Sequence, residues 1–220
     1  MISRTVTLLC ICLVTGMLHA ADHIVLEGEP NAEIVITSQP PRMTMLAAEE
    51  LQTYVKKIAE ARLPIVNHPS EDVDVQIYVG ASRYTDKLSV TTKGLRYGAF
   101  RMVSGPNHLV LLGHDSDFTP PEPWARNHGD QKRALKEWHE LRGHRWGNPI
   151  GNKLYRKHSG RMDLWAYDRH GSLNAVYQFL RSLGVRWYMP GELGEICPQN
   201  RTIAVPSINR TVKPDFPMRD

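Results

Sequence analysis

Residues Gly171–Pro198 read GSLNAVYQFLRSLGVRWYMPGELGEICP and decide the fold, because a helix, its stop, a strand and a turn follow one another there. In the first half, Ser172 is placed to cap the free backbone N–H groups of a helix. The apolar residues at helical spacing are Leu173, Val176, Tyr177, Leu180 and Leu183. Gly184 then suits the left-handed C′ position, with Val185 folding back onto the helix. This half predicts an amphipathic helix that ends at a glycine.

The second half of the stretch predicts a short strand and a tight turn. Residues 186–189, RWYM, read as extended chain. Pro190-Gly191 fits the two central positions of a type II turn, in which glycine supplies the positive φ. The chain therefore leaves the helix as a strand and reverses direction.

This stretch resembles the closing helix and strand of a small α+β domain that precedes the catalytic barrel in bacterial α-glucuronidases. The same domain is the second domain of chitobiases and β-hexosaminidases. The motifs that carry the resemblance are AAEELQTYVKKIAEARLPI (47–65), QIYVGASRYTD (76–86) and RWYMPGELGEICP (186–198). The resemblance covers Ile24 to about Leu112 and Asp163 to Ile208. It implies an accessory domain of a glycoside hydrolase, whose catalytic acid groups lie on the barrel that follows.

The remaining patterns predict the order β-β-α-β-β-β-α-β. Ile24–Glu27 and Ile34–Ile36 read as an opening hairpin. An apolar stripe from Thr44 predicts the first helix, and alternation over Val73–Val79 predicts a half-buried strand. A second hairpin is expected around Ser104–Asn107. Together they predict an α+β domain, with a mostly antiparallel β-sheet and two helices on one face.

Residues 116–160 form a long loop insertion before the second helix. The insertion carries nine Lys or Arg against five Asp or Glu, a net charge of +4, which equals the net charge of the whole chain. Tryptophan faces can stack on sugar rings and guanidinium groups can hold carboxylate or sulfate, so the insertion is a candidate glycan site. The candidate residues are Trp124, Trp138, Arg142, Arg145 and Trp146. Alternatively, the tryptophans pin the loop to the domain.

Residues 1–21 have the form of a secretory signal peptide. Arg4 precedes an apolar run over Val6–Leu18, and small residues follow at positions 20 and 21. This predicts a secreted product, periplasmic or extracellular, with no membrane attachment after cleavage. Cys197 would be the sole mature thiol, which excludes an internal disulfide. The domain is expected to span 22–212, and 213–220 looks like the start of a linker to a missing catalytic barrel.

The chain contains residue types that can bind a metal or form a hydrolase triad, but their spacings do not suit either kind of site. His139 and His144 are five apart, so they do not share the helix face that a zinc motif needs. Asp168, His170 and Ser172 contain the groups of a hydrolase triad, but neighbours two apart are poorly placed for mutual bonding. We predict no metal site, no cofactor and no nucleic-acid partner.

Glu192 and Glu195 are the strongest carboxylate pair, because two carboxylates across a scissile bond perform glycoside hydrolysis. They lie in a motif that resembles the noncatalytic domain, so we predict no catalytic residue in this chain. The expected role of the motif is interdomain or turn-fixing, and the residues assigned to it are Arg186, Trp187, Glu192 and Glu195.

The sequence thus predicts a noncatalytic accessory domain of an exported glycoside hydrolase in polysaccharide metabolism. Its expected partners are a catalytic barrel, in cis or from a neighbouring reading frame, and possible glycans. One alternative is a free-standing carbohydrate-binding module that uses the basic, Trp-rich insertion. A second alternative is a metal-dependent hydrolase, which would need at least three converging ligands from the insertion.

Overall fold

The chain folds into mixed helix and sheet, in agreement with the predicted α+β class. A computed structural model describes residues 23–117, 127–142 and 168–215. The helices are α1 (Arg42–Ala59), α2 (Arg83–Lys87), α3 (Gln131–Arg142) and α4 (Gly171–Ser182). The strands are β1 (His23–Leu26), β2 (Glu29–Pro30), β3 (Ala32–Val35), β4 (Ile65–Val66), β5 (Val75–Val79), β6 (Phe100–Gly105), β7 (His108–Gly113), β8 (Asp115–Ser116), β9 (Arg169–His170), β10 (Arg186–Trp187), β11 (Glu195–Ile196), β12 (Ile203–Ala204) and β13 (Asn209–Val212).

The largest sheet has six strands in the order β13-β6-β7-β5-β3-β4. Six of the nine strand pairings among the described residues are antiparallel, as predicted. Within this sheet, however, β3 pairs in parallel with β4 and β5, and β5 with β7. The reason is the crossover through α1, which returns the chain in the direction of β3. Alternation of apolar residues predicts a strand but not its direction.

The expected opening hairpin between Ile24–Glu27 and Ile34–Ile36 is wrong. Strand β1 pairs with β2 and with β12 in a separate three-stranded sheet, whereas β3 lies in the six-stranded sheet. The turn at Gly28 is therefore tighter than expected and uses Glu29–Pro30 as the partner strand. The hairpin around Ser104–Asn107 is confirmed, since Gly105 pairs with His108 across it.

Helices α1 and α4 cover one face of the six-stranded sheet, which confirms the predicted layering. Their sides toward the sheet are fully buried and pack in one core. The members of this core with no exposed surface include Leu51, Val55, Val176, Phe179, Leu180, Ile34, Ile77, Leu109 and Leu111. A smaller cluster, which includes Val90, Leu95 and Val110, lies apart from that core.

Helix α4 ends at the glycine that the sequence predicts. The Gly184 backbone has φ 99°, in the left-handed region. The Val185 N–H donates to the carbonyl of Leu180 at 3.1 Å, and the Gly184 N–H donates to the carbonyl of Arg181 at 3.1 Å. This pair of hydrogen bonds is a Schellman motif, and Val185 is fully buried beneath it.

The N-terminal cap of α4 differs from the expected one. Ser172 lies inside the first turn, and its hydroxyl accepts a hydrogen bond from the Gly113 N–H at 2.9 Å. The Ser172 N–H instead donates to the Asp115 carboxylate at 2.9 Å. The same carboxylate accepts from the Thr44 hydroxyl at 2.8 Å, in the first turn of α1. One carboxylate from β8 therefore joins the starts of both helices.

Among the described residues, no helix is both long enough and apolar enough to cross a membrane. The proposed signal peptide lies outside the described residues.

Candidate functional site

The candidate site is the hairpin that β10 and β11 form after α4. The two strands are antiparallel, with Trp187 opposite Glu195. Between them, Glu192–Gly194 makes one turn of 3₁₀ helix. Gly191 has φ 90° and ψ 174°, so the expected type II turn is wrong although the positive φ is present. This backbone conformation is accessible almost only to glycine, and it starts the 3₁₀ turn.

The side chains of Trp187 and Glu195 point toward α1 and form hydrogen bonds with it. The indole Nε1–H of Trp187 donates to the Tyr54 hydroxyl oxygen at 2.6 Å. That hydroxyl donates to Glu195 Oε2 at 2.7 Å, and Lys57 Nζ donates to Glu195 Oε1 at 2.6 Å. We call Tyr54, Lys57, Trp187 and Glu195 the anchor cluster. Because Tyr54 and Lys57 are three apart on a helix, they lie on one face and meet the hairpin together.

Aromatic contacts attach the hairpin to both helices. The Trp187 ring lies 5.2 Å from the Tyr54 ring and 5.2 Å from the Tyr177 ring, edge-on to both. Such perpendicular pairs are favoured by the ring quadrupoles. Lys57 Nζ lies 4.9 Å from the centre of the Tyr54 ring, and the Tyr177 hydroxyl donates to Glu50 at 3.1 Å. The hairpin is therefore held by α1 and α4 at once.

The electrostatics of the anchor cluster favour an ionised Glu195. The hydrogen bond from Lys57, followed by that from Tyr54, lowers the pKa of Glu195 below its ordinary value. The hydrogen bond to Glu195 raises the pKa of Lys57, and burial raises the pKa of Tyr54. A carboxylate whose folded-state pKa is lowered stabilises the fold above its unfolded pKa. That contribution is lost as the pH falls through the folded-state pKa.

An open cleft of about 630 Å³ lies beside the anchor cluster. The residues that line it are Tyr54, Trp187, Tyr188, Met189, Pro190, Gly191, Glu192 and Glu195. In its lining Tyr188 is 73% exposed, and Leu193, which follows Glu192 in the chain but does not line the cleft, is 99% exposed. The cleft thus combines aromatic rings with two carboxylates.

The other predicted residues of this motif take different positions. Arg186 Nη1 donates to the carbonyls of Arg181 and Val185, both at 2.7 Å, at the end of α4. Glu192 is exposed at the tip, and among the described residues its carboxylate has no hydrogen bond or ion pair.

The sequence analysis grouped four residues of this motif, but the structure brings only Trp187 and Glu195 into the anchor cluster. Their partners Tyr54 and Lys57 were missed, since a helical stripe assigns faces but not contacts with distant strands. Lys57 is exposed, as its position opposite the stripe predicts, but it is also ion-paired.

The candidate glycan residues of the insertion lie mainly outside the described residues. Trp124, Arg145 and Trp146 are not described, and Trp138 and Arg142 are described only as backbone of α3. Helix α3 itself was not predicted. The signal that could have found it is charge spacing, because ion pairs join Arg133 to Glu137 and Lys136 to Glu140 at i,i+4.

The residues of the triad alternative are described, whereas most of the insertion, from which the metal alternative draws its ligands, lies outside the described residues. The Asp168 carboxylate accepts two hydrogen bonds from Arg42, at 2.6 and 2.9 Å. The Ser172 hydroxyl is fully buried against Gly113, and His170 Nδ1 lies 3.0 Å from the backbone carbonyl of Asp168. These three side chains are not arranged as the hydrogen-bonded series of a catalytic triad. No group of three His, Cys, Asp or Glu side chains converges in the part of the chain that the structure describes.

Asp115 is a perturbed carboxylate that the sequence did not suggest. Burial raises its pKa, and the hydrogen bonds from Ser172 and Thr44 oppose that effect. Perturbed carboxyl groups often mark functional sites. Here both oxygens are already occupied by the first turns of α1 and α4. The raised pKa of Asp115 therefore follows from its buried position between the two helices.

The two ends of the insertion meet at a narrow neck. Strands β8 and β9 pair Ser116 with Arg169, so the chain departs and returns side by side. Arg42 reaches both ends: its backbone N–H donates to Asp117 at 2.8 Å and its guanidinium pairs with Asp168. The contacts that close the neck therefore belong to the domain.

We expect a variant in which a Gly-Ser-Gly linker replaces residues 118–167 to stay folded. Its free energy of unfolding should rise by up to about 2.5 kcal/mol, because the closure entropy varies with the logarithm of loop length and the loop becomes much shorter. Urea unfolding followed by circular dichroism measures the change. If the intact chain binds a sulfated or uronate-rich glycan, this variant should lose that binding. An unfolded variant would show that insertion residues belong to the core.

No protein-family model and no curated protein matches the chain. Three of the similar solved structures are glycoside hydrolases. A GH115 4-O-methyl-α-glucuronidase with specificity for decorated arabinogalactans is similar over 84% of this chain, at 14% identity and a TM-score of 0.49. That match covers 17% of the enzyme.

Two GH20-type enzymes are similar over a smaller part. The β-N-acetylhexosaminidase from Streptomyces coelicolor A3(2) matches 43% of this chain at 16% identity and a TM-score of 0.29, covering 15% of that chain. A mutant Streptomyces plicatus β-hexosaminidase, in complex with its product GlcNAc, matches 43% at 13% identity and a TM-score of 0.26, again covering 15%. The chain therefore spans less than one fifth of the length of any of these three enzymes.

Proposed function

We propose that this chain is a noncatalytic accessory domain of an exported glycoside hydrolase. The catalytic acid groups are supplied by a barrel domain, either in a longer chain or from a neighbouring reading frame. The proposal draws on the three motifs quoted above and on the apolar run at Val6–Leu18. The substrate class is a polysaccharide.

The observation that carries the proposal is the state of Glu195. A glycosidase needs one carboxylic acid that keeps its proton at working pH and a second carboxylate as base or nucleophile. Glu195 is ion-paired with Lys57, and this contact lowers its pKa, which is unsuitable for a general acid. Both its oxygens are hydrogen-bonded to side chains of α1, which ties the carboxylate to the fold of the domain.

Glu192 does not supply the missing acid. It lies exposed at the hairpin tip, and exposure to water does not provide the apolar surroundings that keep a catalytic carboxyl protonated. The two carboxylates of the cleft therefore lack the opposed environments that glycoside hydrolysis requires. A role in fixing the hairpin fits Glu195 better.

The purified chain is expected to hydrolyse no glycoside. The test is a steady-state assay on aryl glucuronides and aryl N-acetylglucosaminides, with Glu192→Gln and Glu195→Gln as paired variants. Turnover in the parent that disappears in either variant would overturn the proposal. Turnover that is equal in parent and both variants, and that separates from the chain on further purification, comes from a contaminating hydrolase. Turnover that stays with the chain would also overturn the proposal.

A further inference from the structure

The hairpin tip concentrates exposed apolar surface to an unusual degree. Nine large hydrophobic side chains are exposed in the described part of the chain, and five of them lie within ten residues of each other. These five are Trp187, Tyr188, Met189, Leu193 and Ile196. Single exposed apolar residues are normal, but several on one short hairpin favour an interaction site. The tip is therefore a candidate surface for a partner molecule.

The tip is also preorganised. The Tyr188 N–H donates to the carbonyl of Gly194 at 2.8 Å, and the Gly194 N–H donates to the carbonyl of Gly191 at 3.0 Å. The anchor cluster fixes the base of the hairpin to α1. A surface that is already rigid loses little conformational entropy on binding, which favours affinity.

The carboxylates of the cleft define the charge of the missing partner. Lys57 neutralises Glu195, so among the described residues that line the cleft the remaining net charge is the single negative charge of Glu192. Covering the apolar tip removes water from Glu192. A desolvated carboxylate is costly unless a cation pairs with it. The partner must therefore bring a positive group to this point.

The aromatic lining selects the kind of cation. Residue Tyr188 is 73% exposed and Trp187 37% exposed, and both line the cleft with Glu192. A guanidinium group is planar, stacks on aromatic rings and pairs with a carboxylate through two hydrogen bonds, whereas an ammonium is a strongly hydrated point charge. The lining fits arginine better than lysine.

We infer that this cleft is a pocket for an arginine side chain of a partner protein domain. The partner places its guanidinium between Tyr188 and Glu192 and an apolar socket over Leu193. The inference rests on the proposed accessory function for the identity of the partner as a catalytic domain. The apolar surface beyond the cleft favours a protein over a sugar ring, because Leu193 is 99% exposed and does not line the cleft.

The test is an NMR titration of the ¹⁵N-labelled chain with N-acetyl-arginine amide. We expect saturable shifts of the Trp187 indole N–H and the Tyr188 amide, with a dissociation constant on the order of 10 mM. The neutral isostere N-acetyl-citrulline amide should bind at least about fivefold more weakly, since it lacks the charge. Glu192→Gln should weaken arginine amide by a similar factor. Glu71→Gln, which removes an exposed carboxylate elsewhere, should change nothing.

Three results would overturn the inference. These are equal binding of the arginine and citrulline probes, full binding by Glu192→Gln, and no shift at Trp187 and Tyr188 up to about 100 mM probe. Shifts of the same signals by N-acetylglucosamine, without an effect of arginine amide, would make the cleft a sugar subsite instead. The glycosidase assay is independent of this titration, so failure of the accessory function and failure of the arginine pocket are separately visible.

Discussion

Leu180→Ala is expected to lower the free energy of unfolding by about 2–5 kcal/mol. Leu180 lies in the middle of α4, has no exposed surface, and packs in the core shared with α1 and the sheet. Its truncation loses transfer free energy and leaves a cavity that rigid neighbours on three sides fill poorly. Urea unfolding followed by circular dichroism gives the midpoint shift.

The matched control is the same substitution at an exposed site. Leu193→Ala, at a position that is 99% exposed, should cost less than about 0.5 kcal/mol. Lys57 is a poor control, although it is exposed, because its ion pair with Glu195 contributes to the anchor cluster. A shift for Leu180→Ala no larger than that for Leu193→Ala would contradict the burial of Leu180 in the core.

Arg42→Met should destabilise the domain by about 3 kcal/mol. Arg42 donates two hydrogen bonds to Asp168, whose side chain has no exposed surface. Removing the guanidinium takes two charge-assisted hydrogen bonds from a buried carboxylate, which is costly. It also removes the side chain that joins α1 to the neck of the insertion. Thermal unfolding at neutral pH measures the loss.

The control for this change is Arg62→Met, which makes the same substitution on exposed surface after α1. We expect an effect within about 0.5 kcal/mol. A small effect of Arg42→Met, equal to that of Arg62→Met, would mean that the Arg42–Asp168 pair adds nothing to the stability of the neck.

The parts of the fold that follow from local chemistry were predictable. The glycine stop at Gly184 and the hairpin around Ser104–Asn107 depend on residues adjacent in sequence, and both form as expected. The apolar stripe located α4 but omitted Phe179, which is fully buried. A stripe describes one contact face, whereas α4 packs on both α1 and the sheet.

The parts that depend on distant residues were not predictable. Ser172 looks like a helix cap in sequence, but Asp115 from β8 takes that role. Glu195 was recognised as a candidate, yet the partners that fix its charge are on α1, more than a hundred residues earlier in the chain. Strand direction in the six-stranded sheet likewise follows from the crossover through α1, which alternation alone does not encode.

The most direct test of the noncatalytic assignment is the pKa of the Glu195 carboxyl group, followed by ¹³C NMR from neutral to acid pH. Hydrogen bonds from Lys57 and Tyr54 should hold it below the ordinary glutamate value of about 4.3. Lys57→Ala should raise it, because the first of those hydrogen bonds is lost. A value near the catalytic-acid range, at about 6 or above, would contradict the assignment and return Glu195 to the list of candidate acids.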